Sequence, residues 1–340
     1  MATRVSRQKA PWRALPVWAF LSAGLVSAAG CGGSPTAPTP PPGVQLTCPA
    51  DVETFTNTSE PIKVTYPDPT VQGGTAPFVI TCTPPSGSDF PLGESRVQCT
   101  VVDGRAQTGS CQFAVRVKPG LSFTKYLGFG DSLTEGVTSQ PTPTGLFKKL
   151  ELIPGQSYPD QLIKQMLALY PTQSLTVINE GKGGEFSEQG VRRLPGVLST
   201  NQPEVVLLMH GANDITAYKT SAPSIVAESY TRMIREAELR GMKVVVATIP
   251  PRRNGGPFNL TASHVPPVND RIRALATKLN LPLVDTYEAL LPQVNTLIGV
   301  DCLHPTAEGY VKMADTFMAK IREVYEVKPP PGSAAFTRRR

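Results

Sequence analysis

The sequence predicts an α/β protein with a smaller all-β domain in front of its main domain. Three observations lead to this prediction. Apolar and polar residues alternate in short runs within residues 44–118, apolar runs alternate with helical spacing within residues 121–326, and turn residues separate the runs in both parts. The chain has 340 residues, which is long enough for two domains and a sizeable core.

Residues 1–30 have the features of a secretory signal peptide. Four basic residues precede an apolar run from residue 17 to residue 29, acidic residues are absent, and the run is too short for a comfortable membrane span. Removal of this segment would leave 29 basic and 27 acidic residues, so the formal charge of +6 falls to +2. The sequence therefore predicts export and argues against nucleic acid as a partner.

The end of this segment, Ser27-Ala-Ala-Gly-Cys31, resembles a bacterial lipobox, in which the cysteine becomes the lipidated first residue of the mature protein. The resemblance implies a lipid anchor on Cys31 and a cell-envelope lipoprotein at the outer membrane or the periplasmic face. Cleavage after a small residue, which would release a secreted protein, is the alternative. Residues 31–43 are interpreted as a Pro- and Gly-rich tether, and residues 327–340 as a disordered basic tail.

Residues 44–118 are predicted to form a small antiparallel β-sandwich. Runs with a period of two lie at residues 62–66, 78–82, 96–102 and 112–117, and Gly, Pro and Asp turn signals separate them. Four cysteines in this part of an exported chain indicate a disulfide framework, which a small core benefits from. They are Cys48, Cys82, Cys99 and Cys111. Four cysteines allow three pairings, and the sequence does not choose among them.

The same segment resembles a hyalin repeat, an immunoglobulin-like module. The resemblance rests on five stretches, at residues 48–51, 81–88, 90–93, 97–103 and 111–115. It implies an immunoglobulin-like sandwich that acts as a rigid spacer, with adhesion as the alternative role.

The pattern changes in residues 121–326. The predicted strands are Tyr126–Phe129, Leu175–Asn179, Val205–His210, Lys243–Ile249 and Leu281–Asp285. The predicted helices are Tyr158–Tyr170, Ser187–Leu198, Ile225–Arg240, Val268–Leu279 and Thr306–Tyr325. Apolar strands that alternate with helices favour a parallel sheet covered on both faces, in which the loops after the strands meet at one edge.

Polar residues that suit serine hydrolysis follow these strands. Ser132 comes after the first strand, Asn179 to Gly184 after the second, and Gly211 to Asp214 after the third. A nucleophilic serine needs a base, a group that orients the base, and hydrogen-bond donors for the developing oxyanion. His304 is the histidine with a carboxylate, Asp301, three residues before it.

Four stretches resemble the four blocks of the SGNH hydrolases, also called the GDSL esterase/lipase family. They are Gly130-Asp-Ser-Leu133, Asn179 to Gly184, Gly211-Ala-Asn-Asp214 and Asp301-Cys-Leu-His304. The resemblance implies a flavodoxin-like three-layer α/β/α sandwich whose five-stranded parallel sheet has the order 2-1-3-4-5. The pattern Gly-x-Ser-x-Gly is absent around Ser132, which argues against the α/β-hydrolase fold.

The resemblance also implies the chemistry of a serine esterase. Ser132 would attack an ester carbonyl, His304 would transfer the proton, and Asp301 would orient the histidine. The oxyanion would be bound by the backbone N–H groups of Ser132 and Gly184 and by the side chain of Asn213. We expect no cofactor and no metal, because the chain has three scattered histidines and lacks an acidic cluster near them.

The expected substrates are small-molecule, lipid or acylated-glycan esters. An acyltransferase or a carbohydrate deacetylase could use the same triad. A surface adhesion protein with an inactive hydrolase scaffold is a further alternative, against which the complete set of site residues argues.

Other polar residues near these motifs have structural interpretations. Asp131 is expected to support the nucleophile loop, His210 to be a hydrogen-bonded structural histidine, and Cys302 to be a packed free thiol rather than a second nucleophile. Pro305 is expected in the first turn of the last helix, where it would orient His304.

Two insertions are expected to lie over the pocket. Residues 137–157 carry Leu146, Phe147, Leu150, Leu152 and Ile153, which either contact an apolar part of the ester or serve loop packing. Residues 250–267 carry His264 together with Arg252 and Arg253, which either meet an anionic leaving group or form a solvated pair.

Overall fold

The structure, a computed structural model, describes residues 43–141, 148–255 and 258–329. The predicted signal peptide, the lipidation candidate Cys31, nearly all of the tether and most of the basic tail lie outside the described residues, as do Leu146 and Phe147. Among the described residues, no helix has the length and apolar character needed to cross a membrane.

The amino-terminal part is an immunoglobulin-like β-sandwich, as predicted. Its strands are β1 (Gln45–Thr47), β2 (Val52–Thr56), β3 (Ile62–Lys63), β4 (Thr70–Gln72), β5 (Val79–Thr83), β6 (Asp89–Phe90), β7 (Gly93–Val102) and β8 (Thr108–Pro119). A four-stranded sheet has the order β2-β8-β7-β5, and β1 pairs with β4 and β3 with β6. The expectation of an entirely antiparallel sandwich is wrong for β2, which runs parallel to β8 because it pairs with the last strand rather than with its sequence neighbour.

Two disulfides close this domain, Cys48–Cys111 and Cys82–Cys99. The register brings one pair together directly, because Cys82 of β5 lies opposite Cys99 of β7. Cys99 also lies opposite Cys111 of β8, so three of the four cysteines lie on adjacent strands around a small apolar core, and Cys48 directly follows β1.

The second part contains a five-stranded parallel sheet. Its strands are β9 (Lys125–Gly130), β12 (Thr176–Gly181), β13 (Val205–Met209), β14 (Lys243–Ala247) and β15 (Leu283–Val284), and a separate hairpin consists of β10 (Val137–Pro141) and β11 (Lys148–Leu152). The sheet order is β12-β9-β13-β14-β15, which confirms the predicted order 2-1-3-4-5. Every residue of the central strand β13 is buried, as expected for a strand covered on both faces.

Helices cover both faces of the sheet. They are α1 (Ser132–Glu135), α2 (Tyr158–Leu169), α3 (Ser187–Asn201), α4 (Ala212–Tyr218), α5 (Ala222–Leu239), α6 (Val265–Leu279), α7 (Thr286–Leu290), α8 (Val294–Leu297) and α9 (Ala307–Tyr325), with short 3₁₀ turns at 219–221, 259–264 and 291–293. Helix α2 packs against α9, whereas α3, α5 and α6 pack side by side. The result is the three-layer, flavodoxin-like sandwich that the sequence predicts.

The β-sandwich contacts the second part at the edge where the parallel strands begin. The Phe55 ring packs edge-on against Tyr170 with 5.6 Å between ring centroids, and the Phe55 N–H donates to Thr172 Oγ1 at 3.1 Å. Thr172 lies between the end of α2 and the start of β12, whereas Ser132 follows the carboxyl end of β9. The sandwich is therefore attached at the sheet edge opposite to the one that carries Ser132.

Candidate active site

Ser132 is the first residue of α1 and directly follows the tight turn at the end of β9. Asp131 caps α1, since its side chain accepts a hydrogen bond from the Leu133 N–H at 3.0 Å. A Cβ on Gly130 would collide with the Met209 carbonyl oxygen, so only glycine allows β9 to approach β13 this closely. This turn places the nearly buried Ser132 at the carboxyl edge of the sheet.

Ser132, His304 and Asp301 form one chain of hydrogen bonds. His304 Nε2 is 2.9 Å from Ser132 Oγ, and His304 Nδ1 is 2.5 Å from Asp301 Oδ2. All three side chains are buried to more than nine tenths of their surface. The order serine, histidine, carboxylate is the one that lets the histidine accept the serine proton while the carboxylate holds its other ring nitrogen.

The loop between α8 and α9 holds His304 in this position. Asp301 Oδ1 accepts the N–H groups of Leu303 and His304 at 3.0 and 3.1 Å, and the Gly299 N–H donates to the His304 carbonyl oxygen at 2.7 Å. The expectation for Pro305 is wrong, because α9 begins after Thr306, whose side chain caps the helix by accepting the Gly309 N–H at 3.1 Å. Hydrogen bonds within the loop, rather than a helical proline, therefore orient the histidine.

The pKa of Asp301 reflects its position beside His304. Burial alone would raise the pKa of this carboxyl, but the hydrogen bond and the charge attraction of His304, together with the backbone N–H groups of Leu303 and His304, lower it below the ordinary value. Asp301 is therefore a carboxylate at neutral pH and stabilises an imidazolium on His304.

Gly184 and Asn213 line the same cavity as Ser132 and His304. A cavity of about 460 Å³ is lined by Ser132, Gly184, Asn213 and His304 together with apolar residues. Gly184 has a φ of 75°, which glycine adopts without strain, and the Asn213 side chain donates from Nδ2 to the Glu185 carbonyl oxygen at 2.9 Å. The four predicted positions thus share one cavity, with Asp301 behind His304.

Asp131 has a structural role, as the sequence led us to expect. In addition to the Leu133 N–H, its carboxylate accepts the N–H groups of Gly211 and Ala212 at 3.0 and 2.9 Å. A fully buried carboxylate with three backbone donors ties the nucleophile turn to the start of α4. Asp131 therefore connects the loop of Ser132 with the loop of Asn213.

Asp214 and Asn179 likewise bind loop backbone. Asp214 accepts hydrogen bonds from the N–H and the hydroxyl of Ser187 at 2.9 and 2.8 Å, at the start of α3. Asn179 donates to the Glu135 carbonyl oxygen at 3.2 Å and accepts the Gly181 N–H at 2.9 Å. Both residues fix the loops around the cavity.

A buried ionic cluster behind Gly184 was not predicted. Glu185 accepts hydrogen bonds from Arg193 at 2.7 to 3.1 Å and lies 3.1 Å from His210 Nε2. The Arg193 guanidinium also donates to the Gly130 carbonyl oxygen at 3.3 Å and stacks 4.2 Å from the Phe129 ring centroid. The cluster therefore joins the nucleophile strand to the loop that carries Gly184.

The pKa of Glu185 is strongly lowered by this cluster. Burial alone would raise it, but the hydrogen bonds from His210 and Arg193 and the charge of Arg193 bring it to about 2, from an ordinary value of 4.5. Because the folded-state pKa is the lower one, this ionisation stabilises the fold above pH 4.5, and its contribution is lost as the pH falls toward 2.

We expect Glu185→Gln to lower the free energy of unfolding by on the order of 3 kcal/mol at pH 7, with more than half of the difference gone at pH 3. Urea unfolding of the wild type and the variant at both pH values measures this change. Glu188→Gln is the matched control, because this carboxylate lies three residues further along the chain, in the first turn of α3, and its side chain is 60% exposed. A difference between wild type and Glu185→Gln that is independent of pH would contradict the assignment.

The expectation for Arg252, a solvated arginine or one that meets an anionic leaving group, is wrong. The side chain is buried and donates to the Ala212 carbonyl oxygen at 2.8 Å and to Thr216 Oγ1 at 3.0 Å, as well as to Thr261 Oγ1. Burial lowers its pKa to about 10, so it remains charged at neutral pH. Arg252 thus braces α4 against the 259–264 turn. Arg253 is half-buried and donates to the Asn295 carbonyl oxygen at 3.1 Å.

His210 and Cys302 have the environments expected of structural residues. His210 is fully buried and contacts Glu185 as described above. Cys302 is a buried free thiol whose Sγ lies 3.4 Å from the Asn254 carbonyl oxygen. Among the described residues, no group of three or more His, Cys, Asp or Glu side chains is arranged to bind a metal ion.

Two family models match this chain. Residues 129–312 match the GDSL-like Lipase/Acylhydrolase family, and residues 38–117 match the HYR domain. The first match begins at the end of β9, immediately before Ser132, and extends into α9, beyond His304. The matched range therefore includes Ser132, Asp301 and His304 and every residue that lines the cavity described above.

The chain is similar in sequence to two esterases. Its identity to the acetylxylan esterase of Geobacillus stearothermophilus is 23% over 212 residues, which cover 58% of this chain and 93% of the relative. Its identity to the esterase TesA of Pseudomonas aeruginosa is 26% over 147 residues, which cover 43% of this chain and 69% of the relative.

Solved structures share the fold. The lipase/acylhydrolase from Enterococcus faecalis superposes with a TM-score of 0.51 at 23% identity, covering 60% of this chain and 98% of that one. A carbohydrate acetylesterase from Sinorhizobium meliloti has a TM-score of 0.50 at 19% identity, covering 59% of this chain and 100% of that one. At these identities the likeness shows the fold.

Proposed function

The chain belongs to the GDSL-like lipase/acylhydrolase family and is a carboxylic ester hydrolase, and we propose that it is an exported serine esterase whose triad is Ser132, His304 and Asp301. The single observation that carries this proposal is the hydrogen-bonded chain from Ser132 Oγ through His304 to Asp301, with distances of 2.9 and 2.5 Å.

The proposed reaction has two halves. Ser132 Oγ attacks the ester carbonyl carbon while its proton moves to His304 Nε2, and the tetrahedral intermediate collapses as His304 returns that proton to the leaving alcohol. A water molecule then gives a proton to His304 and attacks the acyl-serine, which releases the carboxylic acid and restores Ser132. Asp301 remains a carboxylate throughout and stabilises the imidazolium.

The proposed oxyanion hole consists of the N–H groups of Ser132 and Gly184 and the Asn213 side chain. Within the described residues, neither of these two N–H groups donates a hydrogen bond. The Asn213 amide is oriented because one of its hydrogens binds the Glu185 carbonyl oxygen, which leaves the other hydrogen for a substrate oxygen. One such donor contributes about 10² to 10³ in turnover in serine hydrolases.

Export and anchoring are also proposals. They rest on the signal-peptide pattern, on the lipobox resemblance at Cys31, and on the two disulfides of the sandwich, which are typical of proteins that fold in an oxidising compartment. We propose a cell-envelope lipoprotein bound to a membrane through Cys31, with a secreted protein as the alternative. In this arrangement the HYR-like sandwich is a spacer between anchor and enzyme.

The proposed substrates are small-molecule, lipid or acylated-glycan esters. Similarity to an acetylxylan esterase favours glycan deacetylation as the second candidate, which would use the same triad on an acetyl group. Acyl transfer differs only in the acceptor, because a sugar hydroxyl would replace water in the second half-reaction.

Covalent labelling with a fluorophosphonate tests the proposal, because such probes react with an activated serine hydroxyl. We expect the full-length chain to take up one label, which peptide mass spectrometry locates on Ser132. Absence of labelling, or a label elsewhere, would contradict the triad and favour a scaffold without hydrolase activity.

A further inference from the structure

The hairpin that follows the nucleophile helix has one face directed at the catalytic residues. In the antiparallel pair β10 and β11, Val137 lies opposite Leu152 and Ser139 lies opposite Leu150. Since side chains alternate along a strand, these four residues share one face of the hairpin. Glu151 lies between the two leucines, forms an ion pair with Lys149 and also contributes to the lining of the cavity that contains Ser132.

This face of the hairpin is anchored to the elements that carry the triad. Tyr310 of α9 donates its hydroxyl to the Val137 carbonyl oxygen at 2.6 Å, and the Asp301 N–H donates to Ser139 Oγ at 3.2 Å. Val137 and Ser139 are consequently buried. The position of β10 is therefore tied to the loop that holds His304, and β11 is positioned through its pairing with β10.

Leu150 and Leu152 are the exposed members of the same face. Each is 54% exposed, although leucine is a residue that normally packs inside. Both line the 460 Å³ cavity that contains Ser132 and His304. Phe258 and Leu303 line the same cavity, so apolar side chains from three separate segments meet beside the nucleophile.

The other two apolar residues are also held in place. The Leu303 N–H is bound by Asp301 Oδ1 at 3.0 Å, and the Phe258 carbonyl oxygen accepts hydrogen bonds from Thr261 Oγ1 at 2.9 Å and from the Arg252 guanidinium at 3.5 Å. The cavity thus has a polar part at Ser132, Gly184 and Asn213 and a preformed apolar part at the hairpin. Such a division suits a ligand with one polar group and one apolar group.

We propose that Leu150 and Leu152 determine substrate selectivity by binding an apolar substituent of the ester, so that the substrates are carboxylic esters with a medium-length alkyl or aryl group. This inference rests on the proposed function, because it takes Ser132 as the reacting group. The side chains of Leu150, Leu152 and Phe258 offer no hydrogen-bond partner to the hydroxyl groups of a sugar ring, so this part of the cavity favours an apolar substituent. The substituent belongs to the acyl group or to the alcohol, and two substrate series distinguish these cases.

The experiment compares the full-length wild type with the double variant Leu150→Asn/Leu152→Asn on methyl alkanoates from acetate to octanoate and on alkyl acetates from methyl to octyl. Acid release in a pH-stat gives kcat/KM for each ester. Each buried methylene contributes about fourfold to kcat/KM, so we expect the wild type to prefer the longer members of one series. In the variant, the ratio of octyl to methyl, or of octanoate to acetate, should fall at least about tenfold.

The matched control is Leu167→Asn/Leu239→Asn, which changes two exposed leucines on α2 and α5 that do not line the cavity and are 46% and 73% exposed. We expect this control to keep the wild-type chain-length ratio. A smaller chain-length ratio in the variant supports the proposal. The series in which the ratio falls shows whether the acyl group or the alcohol contacts the leucines. An unchanged chain-length ratio in both series, or a wild-type preference for acetylated xylan over every alkyl ester, would overturn the proposed role of the leucines. The proposed serine esterase would still stand in that case if the fluorophosphonate labels Ser132.

Discussion

Replacing Ser132 with alanine is expected to lower kcat for p-nitrophenyl butyrate by about 10⁶, because the triad acts as a unit and fails when the nucleophile is removed. The remaining rate would come from substrate binding and the oxyanion donors. Stopped assays at high enzyme concentration, with the variant purified separately from wild-type protein, measure so large a loss. The hydroxyl points at His304 and, among the residues that the structure describes, makes no second hydrogen bond, so thermal unfolding should change little.

Cys302→Ser is the matched control for this prediction. Cys302 lies beside Asp301 and has a nucleophilic atom, but its Sγ is buried against the Asn254 carbonyl oxygen at 3.4 Å, and within the described part of the chain it contacts carbonyl oxygens rather than a base. We expect the kcat of Cys302→Ser to equal that of the wild type. Activity that survives in Ser132→Ala and disappears in Cys302→Ser would show that the thiol, and not the serine, is the nucleophile.

The second large effect is expected for Asp301→Asn, which should lower kcat by about 10⁴. The asparagine oxygen would keep the N–H groups of Leu303 and His304, which Asp301 Oδ1 binds at 3.0 and 3.1 Å. Its NH₂ group would then face His304 Nδ1 as a donor. That nitrogen would have to be an acceptor, so the proton would sit on Nε2, and the histidine could no longer accept the proton of Ser132.

Steady-state kinetics with p-nitrophenyl butyrate and thermal unfolding together test the Asp301 prediction, because the fold should remain while kcat falls. Asp270→Asn serves as the control, since this aspartate pairs with Arg273 on the surface of α6 with a side chain that is 71% exposed. A loss of less than about tenfold in Asp301→Asn would mean that the carboxylate does not set the tautomer of His304.

The sheet, and the meeting of the candidate site residues at one of its edges, could be predicted from the sequence for a physical reason. Strands such as Val205–Met209 are apolar throughout because both faces are covered, and this makes them visible in the sequence. The polar residues that follow them must gather at the carboxyl edge, which is where Ser132, Asn213 and His304 lie.

The features that were missed depend on contacts between distant segments. Arg252 follows a strand and looks solvated in the sequence, but Ala212, Thr216 and Thr261 supply acceptors that satisfy it when buried. The Glu185 cluster likewise needs Arg193, which lies in the following helix α3, and His210, which directly follows β13. Local patterns do not reveal such partners, because their charges are compensated only in the folded chain.

The hairpin was missed because its sequence lacks a strong turn signal of the Asn-Gly type. Residues 148–152, Lys-Lys-Leu-Glu-Leu, alternate over too few positions to indicate a strand by themselves. These residues form a strand because they pair with Val137–Pro141, whose position is fixed by hydrogen bonds from Tyr310 and Asp301.

The attachment of the β-sandwich has a consequence for what the enzyme can reach. Val44 contacts Gly109 at the beginning of β8, and β8 then runs to Pro119 at the junction, roughly 33 Å away at ~3.3 Å per residue. Ser132 lies on the far side of the sheet from that junction. A partner that bound the sandwich near Val44 would therefore lie on the side of the sheet opposite to Ser132, and the cavity would stay open to a substrate while that partner is bound.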